Sequence, residues 1–230
     1  ALNRIDIFAR SGARSLLSSF PRILGLDMAG EIVEIGPSVV EWKRGEKVLI
    51  DYNVKCGVCD YCDIGQDDQC RETISLGLDA DGGYAQYVRV PAANCYVIPK
   101  WMTFEEAAAI PVVSHTALHC LVTLAKVRPG ETVLVNSAGS GVGTAAVQIA
   151  RILGAKVLTI AGSDQKIAYA KTLGAEDGVN YNTRPDFGKA ILQMTNGEGV
   201  DVVLDTVGAA FWDQSVSCIK YRGRLVNSGL

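Results

Sequence analysis

The sequence predicts an α/β protein in which a small β domain precedes a parallel sheet with helices on both faces. Short runs rich in Val, Ile and Gly fill residues 28–51, as expected of short strands. From about residue 130 onward, apolar strand-like runs alternate with segments of helical periodicity, which is the rhythm of repeated βαβ units. A chain of 230 residues is also long for one compact domain, so two are expected.

The β domain is assigned to residues 1–99. Residues 31–35 alternate polar with apolar side chains, and residues 47–50 follow a Gly-Glu turn, so each segment predicts a short strand. A cysteine-rich insertion follows, after which residues 82–90 resume the strand pattern. This part of the chain therefore predicts a β domain that carries an inserted lobe.

A helical junction and a nucleotide-binding domain are assigned to residues 100–230. Thr103 and Glu106 have capping-box spacing before an Ala-rich run that ends at Pro111, which predicts a short helix. Beyond it, helices alternate with predicted strands near residues 132–136, 156–160, 178–181, 200–205 and 223–227.

Composition and charge exclude several classes of protein. Hydrophobic residues make up 48% and charged residues 20%, a balance that suits a packed globular chain. The net charge is −3 and there is no long basic run, so neither nucleic acid nor a membrane surface is an expected partner. No apolar run can span a bilayer and no secretory signal pattern is present, which predicts a cytoplasmic protein. Because the chain begins with Ala and stops directly after a strand-like segment, we expect a fragment.

A glycine-rich turn, residues 137–143, lies between the first strand of the second domain and an amphipathic helix. Its glycines permit close backbone approach, so the free N–H groups at the helix start can bind a pyrophosphate. The G-x-G-x-x-G pattern is not met, because Ala138 and Ser140 replace its first two glycines, so an unrelated glycine-rich connection stays open. The candidate cofactor contacts are Ser140, Gly141, Val142 and Gly143.

The next strand favours NADP(H) over NAD(H). NAD-preferring folds place an acidic residue near the end of this strand, whereas here it ends in Ala-Gly-Ser, with no carboxylate to repel a 2′-phosphate. Ser163 and Lys166 can donate hydrogen bonds to that phosphate, and Tyr181 at the end of the third strand can join them. A solvated lysine on a helix face is the alternative for Lys166.

Four cysteines follow the pattern C-x2-C-x2-C-x7-C in a short lobe, residues 55–71. Four thiolates at this spacing can close a tetrahedral shell around one Zn²⁺ and leave no open position, which is typical of a structural site. Disulfides or unligated thiols are the alternatives. The expected ligands are Cys56, Cys59, Cys62 and Cys70. The remaining cysteines are interpreted as small buried hydrophobic residues, and they are Cys95, Cys120 and Cys218.

Together these features resemble the medium-chain dehydrogenase/reductase superfamily, and within it the zinc-independent quinone oxidoreductase branch. The resemblance rests on residues 1–6 (ALNRID), 25–30 (GLDMAG), the four-cysteine lobe, 81–85 (DGGYA) and 138–143 (AGSGVG). It implies a GroES-like catalytic domain followed by a Rossmann domain, with substrate and nicotinamide between them. Family members usually start earlier and continue further, so the chain is expected to be truncated at both ends. A homodimer is the expected assembly.

The resemblance also tests for a catalytic zinc ion. Zinc alcohol dehydrogenases hold that ion with a cysteine, a histidine and a second cysteine or an acidic residue. The matching positions are Asn3, Leu26 and about Val112, which offer no competent ligand set, so a catalytic zinc is not expected. His115 and His119 lie one helical turn apart and are interpreted as partly buried residues rather than a metal pair.

The implied activity is transfer of hydride from NADPH to a quinone or an α,β-unsaturated carbonyl, because such substrates are electrophilic without a Lewis acid. By resemblance, Asn3 and Asp6 line the nicotinamide pocket, Thr116 lies near the cofactor, and Tyr52 contacts the carbonyl oxygen or donates a proton. At the carboxyl ends of the fourth and fifth strands, the residues expected to flank the nicotinamide are Val207, Gly208 and Ser228.

Each assignment has an alternative. Asn3 and Asp6 can satisfy local backbone groups, Thr116 can cap its helix, and Tyr52 can be a half-exposed strand residue. Two other functions also stay open. One is a zinc-type alcohol dehydrogenase with an altered ligand set, acting on alcohols or aldehydes, and the other is an NADPH-binding protein without catalysis.

Overall fold

The computed structural model describes residues 1–12 and 21–228, and the chain divides into two compact units, Ala1–Val112 and Val113–Leu230. The α/β class predicted from the sequence is confirmed. No helix within the described ranges combines the length and the apolar character that crossing a membrane requires.

The first unit is built from short elements. In chain order they are α1 (Arg4–Arg10), β1 (Met28–Glu31), β2 (Lys47–Ile50), β3 (Asn53–Val54), α2 (Asp60–Asp63), β4 (Ile74–Ser75), β5 (Cys95–Val97) and α3 (Phe104–Ala108). Strands β1, β2 and β5 form an antiparallel sheet, and β3 pairs with β4. The core of the sheet consists of Met28, Val48, Ile50 and Leu76.

The boundary between the units lies later in the chain than the expected break after residue 99. Helix α3 begins at the predicted capping box, in which Thr103 Oγ1 accepts from the Glu106 N–H at 3.2 Å and Glu106 accepts from the Thr103 N–H at 2.9 Å. This helix packs against β1 and β2, so residues 100–112 belong to the first unit. The position of this boundary depends on tertiary packing, which the local sequence pattern does not show.

Two expected strands of the first unit differ from the structure. Strand β1 ends at Glu31, and residues 82–90 form no strand. The backbone N–H groups of residues 82–84 donate to the carbonyls of residues 23–25 instead. A Cβ atom on Gly82 would lie 2.3 Å from a carbonyl oxygen of that neighbouring segment. The glycines therefore allow a close backbone approach rather than marking a strand.

The second unit follows the predicted βαβ order. Helix α4 (Pro111–Leu118) contains the junction between the units and continues as a π-helical turn over His119–Leu124. Then come β6 (Thr132–Asn136), α5 (Gly141–Ile152), β7 (Lys156–Ala161), α6 (Asp164–Thr172), β8 (Asp177–Asn180), α7 (Phe187–Met194), β9 (Val200–Asp205), α8 (Trp212–Ser217) and β10 (Ile219–Asn227). All five predicted strands are present.

The five strands form one parallel sheet in the order β10-β9-β6-β7-β8. Both faces are covered, because Val133 and Val135 of β6 pack in a core cluster with α5, whereas Leu134 packs in a second cluster with α7. The chain reverses its direction of strand addition between β6 and β9. In such sheets, ligands bind outside the carboxyl ends of the strands at this switch point.

Candidate functional site

The four cysteines of the first unit form a compact cluster. Their Sγ atoms all lie within 4.8 Å of one another. The Sγ–Sγ distances are 3.9 Å for Cys56–Cys62, 3.6 Å for Cys59–Cys62 and 3.6 Å for Cys56–Cys70. Four sulfurs at a Zn–S distance of about 2.3 Å around a tetrahedral ion would be separated by about 3.8 Å. The cluster therefore has the dimensions of a closed zinc site.

The electrostatics of the cluster also suit a cation. The Cys56 N–H donates to Cys70 Sγ at 3.4 Å, and this hydrogen bond lowers the pKa of the Cys70 thiol to about 6. Burial raises the pKa of Cys62 to about 12. Four adjacent thiols cannot all ionise alone, and a divalent ion would offset their mutual repulsion. Within the described ranges, no other group of three or more His, Cys, Asp or Glu side chains is placed to hold a metal.

The glycine-rich turn leads directly into α5, as predicted. Ser140 is the N-cap residue, and its Oγ accepts the Gly143 N–H at 3.0 Å. The N–H groups of Gly141 and Val142 have no acceptor among the described residues. A Cβ atom on Gly143 would lie 2.3 Å from the carbonyl oxygen of Ser137, so only glycine fits there. The arrangement presents two free N–H groups at the positive end of a helix, which suits an anion.

The residues expected at the adenosine end of a dinucleotide lie around the carboxyl end of β7. Ser163 caps α6, with its Oγ accepting the Lys166 N–H at 3.3 Å. The aliphatic part of the Lys166 side chain lies against Gly139, where Cδ is 2.7 Å from the position of an added Cβ. The hydroxyl of Tyr181 lies 2.8 Å from the corresponding position on Gly162. Lys166 is exposed and at the same time beside the glycine-rich turn.

One carboxylate near the carboxyl end of β7 was not identified from the sequence. Asp164 is the first residue of α6, and its Oδ1 accepts from Asn180 Nδ2 at 3.0 Å. A carboxylate in the first turn of a helix is favoured by the helix dipole, which accounts for its position. The sequence signal was its place directly after the N-cap residue Ser163.

In the first unit, Asn3 lies between two buried carboxylates. Asp6 Oδ2 accepts the backbone N–H of Asn3 at 2.8 Å and the hydroxyl of Tyr84 at 2.7 Å. Asn3 Nδ2 donates to Asp27 Oδ2 at 2.8 Å, and Asp27 Oδ1 accepts the N–H of Val112 at 2.9 Å. Asp6 and Asp27 are 5% and 6% exposed. Asp6 thus satisfies a local backbone group, but its Oδ1 is buried with no partner among the described residues.

These contacts do not fit a catalytic zinc ligand set. The Asn3 amide donates to Asp27, and Val112, whose aliphatic side chain carries no metal-ligand atom, donates its backbone N–H to the same carboxylate. Leu26 is 2% exposed and packs in an apolar cluster with Ala9 and Leu78. Asp27 was missed by the sequence reasoning, although a single carboxylate in an apolar segment was a usable signal.

Tyr52 lies between β2 and β3 rather than within a strand, and it packs against both core clusters of the first unit. Burial raises the pKa of its phenol, and the charges of Asp51 and Asp27 raise it further, against a lowering hydrogen bond from Asn53. The hydroxyl therefore stays protonated at neutral pH.

The structure excludes the capping alternative for Thr116 and differs from the burial expected of His115. Thr116 lies inside α4, which begins at Pro111, so it does not cap the helix. His115 is exposed rather than partly buried, and His119, at the start of the π-helical turn, is half-buried. Neither histidine belongs to a group able to hold a metal in the described part of the chain.

The three residues expected to flank the nicotinamide all donate to Asp205, the last residue of β9, and the Gly208 N–H donates to Asp205 Oδ1 at 3.2 Å. The Val207 N–H donates to Asp205 Oδ1 at 2.9 Å, and the Ser228 N–H donates to the Asp205 carbonyl at 2.9 Å. Asp205 was not singled out from the sequence. The available signal was a carboxylate at the end of an otherwise aliphatic strand.

Comparison with known proteins identifies two matching families. Residues 1–100 match the family described as alcohol dehydrogenase GroES-like domain, and residues 141–230 match the family described as zinc-binding dehydrogenase.

Among curated relatives, the NAD-dependent alcohol dehydrogenase of Sulfolobus acidocaldarius is 34% identical over 212 residues, which cover 90% of this chain and 60% of that protein. The acryloyl-coenzyme A reductase of Metallosphaera sedula is 30% identical over 210 residues, covering 91% of this chain and 60% of that protein. A crystal structure of an NAD-dependent alcohol dehydrogenase superposes with a TM-score of 0.94 at 41% identity, covering 99% of this chain and 66% of that one. The chain thus spans about three fifths of the length of these curated relatives.

Proposed function

The chain belongs to the medium-chain dehydrogenase/reductase superfamily, and from this premise we propose that it reduces a quinone or an α,β-unsaturated carbonyl with NADPH, without a catalytic zinc ion. The superfamily consists of oxidoreductases, and its relatives imply a nicotinamide cofactor. The choice of cofactor, the substrate class and the metal content are the proposed parts.

The observation that carries the proposal is the contact between Asn3 and Asp27. None of the three expected ligand positions offers a zinc ligand. The Asn3 amide donates to Asp27, Leu26 is buried and apolar, and Val112 donates its backbone N–H to Asp27. A simple ketone without a Lewis acid is a poor hydride acceptor, whereas a conjugated acceptor is already electrophilic. The similarity to a reductase whose name specifies an acryloyl group, which is conjugated, agrees with this class.

The NADP(H) preference is supported by the end of β7. Ser163, Lys166 and Tyr181 lie around one strand end, and the Lys166 side chain lies against Gly139, the first glycine of the glycine-rich turn. An ammonium group at this place suits a 2′-phosphate. Two relatives are named as NAD-dependent, so this preference is the first point to measure.

When bound, the nicotinamide supplies the hydride. The chain's own residues bind and orient the reactants. The N–H groups of Gly141 and Val142, which have no acceptor among the described residues, would bind the pyrophosphate. The Tyr52 hydroxyl, protonated at neutral pH, would donate to the substrate's carbonyl oxygen and protonate the developing enolate. The buried Oδ1 of Asp6, which has no partner among the described residues, is proposed to accept a hydrogen bond from a bound ligand.

The four-cysteine cluster is proposed to hold one structural zinc ion. Near it, Arg71 pairs with Asp60 at 3.0 Å and lies 5.2 Å from the ring centre of Tyr61. Such exposed contacts contribute little to stability, so the metal would provide most of the order of the lobe. The proposed partners are small-molecule substrates, and the proposed assembly is a homodimer.

The test is NADPH oxidation by the intact protein with 1,4-benzoquinone, an enone, acryloyl-coenzyme A and simple aldehydes, together with its zinc content. We expect turnover of the conjugated acceptors, little turnover of aldehydes, and about one zinc per chain. About two zinc ions per chain, with alcohol oxidation lost on chelation, would instead establish a zinc-type alcohol dehydrogenase. Tight NADPH binding without turnover of any acceptor would establish a binding protein.

A further inference from the structure

Two strand-end residues of the second unit are fully buried polar groups in an otherwise aliphatic sheet. Asn136 ends β6 and Asp205 ends the neighbouring strand β9, and both are 0% exposed. Asn136 Nδ2 donates to Asp205 Oδ1 at 3.2 Å and to the buried Ser215 Oγ at 2.9 Å. A carboxylate without solvent depends on such donors, so these contacts fix its position closely.

Asp205 also holds two further segments. Its Oδ1 accepts the N–H groups of Val207 and Gly208 at 2.9 and 3.2 Å. Its Oδ2 accepts from Asn227 Nδ2 at 3.3 Å, and its carbonyl accepts the Ser228 N–H. Gly208 has φ +83°, so the chain turns sharply directly after β9. One side chain therefore fixes the turn after β9 and contacts the end of β10.

The same network reaches the glycine-rich turn. Asn136 is the residue directly before residues 137–143, and its carbonyl accepts from Thr206 Oγ1 at 3.3 Å. Asn227 pairs with Asp205 in the β10–β9 register, and Asn136 ends the strand on the other side of β9. Hydrogen bonds between polar side chains thus connect the carboxyl ends of three adjacent strands, at the switch point of the sheet.

We propose that Asp205 is a positioning residue that sets where the nicotinamide half of the dinucleotide is held relative to the pyrophosphate turn. The inference rests on the proposed dinucleotide binding. The Asp205 side chain bonds to Val207 and its carbonyl bonds to Ser228, two residues expected to flank the nicotinamide. Through Asn136 the side chain also contacts the strand that leads into the glycine-rich turn. A role limited to stability would affect both halves of the cofactor equally.

The test is isothermal titration of Asp205→Asn with NADPH and with 2′-phospho-ADP-ribose, which lacks the nicotinamide. Asparagine keeps the size of the side chain and one oxygen that can accept from the Val207 and Gly208 N–H groups, but it removes the negative charge that strengthens these hydrogen bonds, and its NH2 group cannot accept from Asn227 Nδ2. We expect the Kd for NADPH to rise about tenfold and that for 2′-phospho-ADP-ribose to change less than about twofold.

Asp201→Asn is the matched control. Asp201 lies on the same strand at its amino end, is 9% exposed, accepts the Thr132 N–H at 2.8 Å and pairs with Lys220. Its substitution is expected to lower the thermal midpoint while leaving both Kd values within about twofold of wild type. If Asp205→Asn fails to fold, Asn227→Ala, which removes an exposed donor to the same carboxylate, should show the same selectivity with a smaller rise.

An unchanged Kd for NADPH in a folded Asp205→Asn protein, or an equal loss for both ligands, would overturn the positioning role while the proposed function stands. Failure of the wild-type protein to bind NADPH and NADH would overturn the proposed function, and the positioning role with it. The two failures are therefore distinguishable.

Discussion

Asn3 donates its amide to the buried carboxylate of Asp27 at 2.8 Å, and this contact links the start of the chain to the segment after Gly25. The other oxygen of Asp27 accepts the Val112 N–H. One carboxylate thus joins Asn3 and Val112, two of the three positions that the resemblance matches to the catalytic zinc ligands of alcohol dehydrogenases.

Loss of the structural zinc should destabilise the protein. Cys70→Ser removes the ligand whose pKa is lowered by the Cys56 N–H, and the remaining thiols cannot close the shell. We expect zinc content to fall below about one per chain and the thermal midpoint to drop by at least about 5 °C. Cys95→Ser, outside the cluster, is the control and should retain the metal. Equal midpoints for the two variants would contradict a structural metal.

Lys166 should discriminate between the two cofactors. Lys166→Ala is expected to raise the Kd for NADPH about tenfold and to leave the Kd for NADH within about twofold, because only NADPH carries the 2′-phosphate. Lys171→Ala is the matched control, since Lys171 lies on the same helix and pairs with Asp177 at 2.7 Å. Fluorescence titration measures both constants. A parallel loss for NADPH and NADH would show that Lys166 does not contact the 2′-phosphate.

The glycine-rich turn should not tolerate a side chain at Gly143. A Cβ atom there would lie 2.3 Å from the Ser137 carbonyl oxygen, so the turn must shift and the N–H groups of Gly141 and Val142 lose their alignment. Gly143→Ala should cost about 1–3 kcal/mol of unfolding free energy and weaken dinucleotide binding at least about tenfold. Gly30→Ala, where no atom lies within 4 Å of an added Cβ, is the control. Wild-type affinity in a folded Gly143→Ala protein would argue against a phosphate-binding turn.

Loss of the Tyr52 hydroxyl should lower the turnover rate more than the affinity for NADPH. Tyr52→Phe keeps the ring packing and removes the hydroxyl, so kcat should fall about 10- to 100-fold with little change in KM for NADPH. Tyr96→Phe, at an exposed residue of β5, is the control. Because its pKa is raised, Tyr52 should remain a donor above the usual tyrosine range, and the activity should not decline near pH 10 through loss of this proton. Full activity in Tyr52→Phe would remove Tyr52 from the mechanism.

Acid should weaken the ion pair between Glu131 and Arg224. Two hydrogen bonds of 2.9 and 2.7 Å from Arg224 hold the pKa of Glu131 below its ordinary value. The pair therefore stabilises the fold above that ordinary value, and the stabilisation is lost as the pH falls through the lowered pKa. Glu131→Gln should lose about 2 kcal/mol in urea unfolding at pH 7, and less at about pH 3. Exposed Glu198→Gln should have little effect, and a loss for Glu131→Gln that is independent of pH would contradict the assignment.

Local patterns predicted much of the second unit. The alternation of aliphatic runs with helical periodicity located β6 to β10, and the capping box at Thr103 and Glu106 located the start of α3. The glycine-rich turn was correctly placed at the start of α5. The strand predicted over residues 82–90 is wrong, because its Tyr and Val residues are typical of strands, whereas its glycines serve a close backbone approach.

The sequence by itself determined the α/β class, the order of strands and helices and the cysteine spacing, because these depend on residues within a turn or two of one another. Only the tertiary structure decided which carboxylates shape the two sites. Asp27 meets Val112 across 85 positions, and Asp205 meets Asn136 across 69. Such pairs leave no periodic trace in the chain, because the packing of distant elements brings them together.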